Sequence, residues 1–162
     1  MEFSANRPLN PAAVGGHLVR LVGDRDGPAL AHAVSQVSLL PGADTERPKY
    51  EDVLAWVMDA IVEVVEARLG PAHPRETFVL AVRHRDGHEP DPAELPASGQ
   101  WVLRTAAAFL ADAPAEAQRQ LAEAGRELDP LRRAETLTDA LIWLDFLLDV
   151  DLPDPPDVPT GV

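Results

Sequence analysis

The chain has 162 residues, 46% of them hydrophobic, a length and composition that fit one folded domain with a real core. Its net charge of −13 disfavours nucleic-acid phosphates and anionic lipid headgroups as direct partners. With no cysteine, disulfides, thiolate catalysis and Cys-based metal centres are excluded.

Residues 1–10 read as an N-terminal arm with no secretion-signal pattern, and no apolar run approaches the roughly 20 residues of a membrane span. The expected location is therefore the cytoplasm. Residues 11–150 read as a single all-α domain, a bundle of five or six helices. The first runs from Pro11 to Val22, with Asn10 as its cap and Pro11 at the first helical position. Val14 and Leu18 share one side, while Gly15 and Gly16 each weaken it by about 1 kcal/mol relative to alanine. Asp24 to Gly27 is a turn. Pro28 to Leu40 reads equally as helix or extended chain, stopped by Pro41-Gly42.

Lys49 to Leu69 carries the clearest helical pattern, closed by Gly70 and Pro71. At about 100° per residue, Val53, Leu54, Val57, Ile61, Val64 and Val65 gather on one side. Asp52, Asp59, Glu63 and Glu66 gather on the other. Thr77 to Val82 suits a strand or a helix; lacking a second strand to pair with, it is read as helix. His84 to Gly99 is a polar, proline-containing loop. Ser98 is expected to cap a helix from Gly99 to Ala111. Pro114 opens an Ala-rich helix to Leu128, and Asp129-Pro130 caps and opens the last helix, to about Val150.

That last helix holds the most hydrophobic segment of the chain. Leu137, Leu141, Leu144 and Leu148 repeat at i, i+4, i+7 and i+11, flanked by Ile142, Trp143 and Phe146. No positive charge follows Arg133, whereas seven carboxylates do: Glu135, Asp139, Asp145, Asp149, Asp151, Asp154 and Asp157. Residues 151–162 read as a disordered, acidic, proline-rich tail. An apolar helix with a wholly acidic polar edge points to a partner rather than a reaction. The leading expectation is a non-catalytic interaction or regulatory protein that meets a basic protein partner through Asp145, Asp149, Asp151, Asp154 and Asp157. The hydrophobic surplus of the last helix further suggests a homodimer.

Two alternatives carry chemistry. Asp59, Glu63 and Glu66 at i, i+4 and i+7, facing Asp145 and Asp149 on the last helix, would form a divalent-metal site for a helical-bundle enzyme. The stripes lack paired-glutamate and Glu-x-x-His signatures, and the ordinary reading of both is a solvated helix face. Alternatively Trp56, Trp101 and Trp143, on three different helices, would line a small-ligand pocket; aromatics at helical spacing more often build core. His84 and His88, with Asp86, Glu89 and Asp91, lack the helical scaffold a zinc site needs. Neither His32 near Ser35 nor His17 after Gly15-Gly16 has an identifiable orienting carboxylate. No cofactor is implied.

Overall fold

In the computed structural model the described residues are 10–40, 47–70, 87 and 91–149. They form six α-helices and a short 3-10 turn, with no strand among them. The helices are α1 (Pro11–Gly23), α2 (Gly27–Ser38), α3 (Tyr50–Leu69), α4 (Ala97–Leu110), α5 (Pro114–Gly125) and α6 (Pro130–Asp149). The 3-10 turn spans Pro92–Glu94. The expectations for the arm, for Thr77–Val82, for His84 and His88 and for the C-terminal tail lie outside the described residues.

Local chemistry explains the helix starts. Asn10 Oδ1 accepts from the Ala12 N–H at 2.8 Å, and Pro11 occupies the first turn, where its missing N–H costs nothing. Asp26 Oδ1 accepts from Ala29 N at 3.1 Å and opens α2 as a helix, deciding the choice that the sequence left open. Asp129 Oδ1 accepts from Leu131 N at 2.9 Å and opens α6. Gly70 closes α3 with φ 76°, in the left-handed region. Two expectations are corrected. α4 begins at Ala97 rather than Gly99, which places Ser98 inside its first turn rather than at its cap, and the Ser98 hydroxyl donates across to Asp139 of α6. α5 ends at Gly125, leaving Leu128 exposed in the turn before α6.

Helices α3 and α6 form the centre. The Tyr50 hydroxyl at the start of α3 donates to the Arg133 carbonyl at the start of α6, 2.9 Å away. Arg68 Nη2 at the end of α3 donates to the Leu148 carbonyl near the end of α6, at 2.7 Å. The two helices therefore run parallel. α6 also packs against α1, α2 and α4, and α3 against α1, α4 and α5. Leu54, Val57 and Met58 of α3 meet Leu137, Leu141 and Leu144 of α6 in one core with Leu18 of α1 and Val102 of α4. At about 25 cal/mol per Å² of apolar surface, burial of this kind is the main stabilising term. The close approach of α1 to α3 uses Gly15: a β-carbon there would fall under 3.0 Å from three ring atoms of Trp56.

Candidate functional site

The inner stripe of α6 behaves as its leucine spacing requires, with Leu137, Leu141 and Leu144 buried. Leu148, expected in the same row, is exposed. α3 ends at Leu69, level with Leu148, so among the described helices α3 supplies no further cover there. The outer stripe is unusual. Ile142 is 52% exposed and Phe146 53%, although four helices cover the rest of α6. The two residues are i, i+4 neighbours on one face. The Trp143 ring meets Phe146 edge-on, with centroids 6.1 Å apart and an interplanar angle of 86°, which holds Phe146 against the helix. Leu131 extends the exposed apolar positions toward the N-terminus of α6.

Carboxylates frame this ridge. Glu135 and Asp149 are exposed on the same side, Asp145 is half-buried on its flank, and Asp139 is tied to Ser98. Arg132, the nearest exposed cation on α6, lies 3.9 Å from both Glu127 and Asp129, at the far end of the helix. The last turn of α6 has no basic residue of its own. A carboxylate in the last turn of a helix opposes the helix dipole, so Asp149 stands in an unfavourable position. Arg68 of α3 offsets part of this by binding the Leu148 carbonyl.

The acidic residues of α3 are arranged otherwise. Asp59, Glu63 and Glu66 are all exposed, on the side of α3 opposite its buried face. The α3 face that meets α6 is apolar, so the two acidic stripes are not turned toward each other. Among the described residues no three His, Asp or Glu side chains are grouped so as to hold a metal ion. The Asp59 carboxyl is held above the ordinary carboxylate value, first by partial loss of hydration and second by the adjacent Glu63 charge.

Each tryptophan has a partner of its own. Trp56 lies on Gly15, Trp101 donates its Nε1–H to the Gln120 carbonyl of α5 at 3.3 Å, and Trp143 meets Phe146. Ser35 donates to the Ala31 carbonyl of its own helix at 2.7 Å, while His17 and His32 are exposed. Among the described residues no helix is long and apolar enough to cross a membrane.

Sequence reasoning singled out Asp145 and Asp149 but treated Ile142 and Phe146 as packing. Their angular position provided the missing signal: both fall well away from the centre of the leucine row. The partner-binding candidates Asp151, Asp154 and Asp157 lie outside the described residues. No family model, no curated protein and no solved structure matches the chain.

Proposed function

We propose that this is a non-catalytic interaction protein whose α6 ridge docks a basic, amphipathic segment of a protein partner. The observation that carries the reading is the pairing of half-exposed Ile142 and Phe146 with a surround of carboxylates. An apolar anchor with a charged rim is how protein interfaces combine affinity with selectivity. The rim is of one sign: after Arg133 the chain has seven carboxylates and no cation. A partner presenting an apolar face edged with lysine or arginine complements it, and the negative field speeds the encounter. The unfavourable position of Asp149 in the last turn of α6 supports the same reading, since residues that cost stability are commonly kept for a site. In this reading the protein works in the cytoplasm and needs no cofactor.

A synthetic helix with leucine on one face and lysine on the other is a suitable probe in an NMR titration. Shifts should concentrate on α6 around Ile142 and Phe146, and added salt should weaken binding. Phe146→Ala should weaken it by about tenfold or more, the loss expected for an aromatic anchor. Equal shifts along Asp59, Glu63 and Glu66 of α3 would reduce the interaction to diffuse charge attraction and defeat the proposal.

The same exposed pair favours a second reading, a homodimer packed ridge to ridge. The two differ in their response to salt. A dimer brings two acidic rims together, so added salt strengthens it, whereas a basic partner is released. Sedimentation at low and high salt separates them.

A further inference from the structure

We infer that the open cavity between the end of α2 and the starts of α3 and α6 binds a small organic carboxylate with an apolar body. Its volume is about 490 Å³, within the range of small-molecule sites. In a chain of net charge −13, three cations line this one cavity: Arg47, Lys49 and Arg133. Glu51 is the one carboxylate among its described lining residues. Lys49, the chain's single lysine, stands at the N-terminus of α3 and provides no side-chain cap. The first N–H groups of α3, at Tyr50 and Glu51, have no hydrogen-bond partner among the described residues. A helix N-terminus with free N–H groups favours an anion.

A second observation is independent of the helix end. Arg133 is only 5% exposed, and its guanidinium carbon lies 4.2 Å from the centroid of the Tyr50 ring. Nη1 donates weakly to the Glu127 carbonyl at 3.4 Å, and Nε is buried with no partner. No carboxylate forms an ion pair with it among the described residues. A buried guanidinium without a counterion is costly, and an incoming carboxylate relieves that cost with charge-assisted hydrogen bonds. Arg133, which carries one of the buried unpartnered side-chain polar atoms of the described residues, itself lines this cavity.

Tyr50 itself is not the anion. Burial raises its pKa far above the ordinary phenol value, its hydroxyl is committed to the Arg133 carbonyl, and its ring is the platform beneath the guanidinium. Of the remaining described walls, Gln36 accepts from Arg47 Nη1 at 3.0 Å, while Val37, Leu39, Leu40 and Pro48 are apolar, which favours an aliphatic or aromatic body behind the carboxylate over a fully hydrated ion.

Calorimetric titration of the full chain with decanoate, decan-1-ol and inorganic phosphate tests this. Decanoate should bind one to one. Decanol, which keeps the body, and phosphate, which keeps only the charge, should each bind at least about tenfold more weakly, the worth of one charge-assisted contact. Lys49→Gln and Arg133→Met should each weaken decanoate by a similar factor. Should Arg133→Met fail to fold, the exposed Lys49→Gln carries the test. Phe146→Ala should leave decanoate affinity unchanged, which separates this site from the α6 ridge. Decanol binding as tightly as decanoate, no decanoate heat at millimolar concentration, or an unaffected Lys49→Gln variant would each overturn the inference.

Discussion

Helices α3 and α6 are each 20 residues long, run parallel, share one core, and carry carboxylates on their outer sides. They differ in what accompanies those carboxylates. The outer side of α3 is Asp52, Asp59, Glu63 and Glu66, all exposed, and the large apolar residues of α3 before its last turn are at least half-buried. The outer side of α6 interleaves Glu135 and Asp149 with Ile142 and Phe146. A purely polar face lowers the free energy of the monomer in water and requires no partner. A mixed face leaves apolar surface in water, which a partner can cover. Acidity alone therefore does not mark the α6 ridge; acidity around unburied apolar side chains does.

The sharpest way to break this contrast is to compare the two faces of α6. Leu144, 2% exposed on the inner stripe, should lose about 2–5 kcal/mol on substitution by alanine. Ile142→Ala, on the outer stripe, should lose less than about 1 kcal/mol while weakening the probe helix. Urea denaturation of both variants gives the comparison, and equal losses would show the outer face to be structural.

A second test concerns how α3 is held. Gly15→Ala forces a methyl group into the Trp56 ring and should destabilise by about 1–3 kcal/mol, read as a lowered melting temperature. A neutral result would mean that α1 and α3 slide apart freely.

Asp149→Asn should act in the opposite direction. It removes a charge that opposes the α6 dipole, and stability should rise by about 0.3–1 kcal/mol. Affinity for the basic probe should fall in the same variant. A rise in stability with unchanged affinity would remove Asp149 from the ridge.

The smallest effect belongs to α3. The Asp59 pKa is raised in the folded protein, so the fold holds that proton more tightly than the unfolded chain does. Its contribution is fully present below the unfolded-state pKa and is lost as pH rises through the folded-state value. Above that window the charged carboxylate is a liability, and Asp59→Asn should stabilise by no more than about 0.5 kcal/mol at neutral pH, a bound set by solvent screening at an exposed site. Thermal melts at neutral and acidic pH should show the difference shrinking on acidification. A difference that grows toward low pH would reverse the sign of the argument.

Local chemistry determined much of this protein without help from tertiary structure. The caps at Asn10 and Asp129, the stop at Gly70 and the leucine spacing through Leu144 depend on neighbours within a few residues, and the sequence displays them directly. The all-helical class follows from the same signals. Tertiary structure decided what depends on residues far apart in the chain. The Ser98 hydroxyl donates to Asp139, 41 residues away, a charge-assisted contact that no pattern around Ser98 displays. Arg133 looked like one more charge at the start of a helix until Tyr50, 83 residues earlier, was placed beneath it. The angular spacing sets Ile142 and Phe146 apart from the leucine row, but how much of that arc stays exposed was decided by the neighbouring helices, since hydrophobic spacing marks a face and not how wide an arc they will cover.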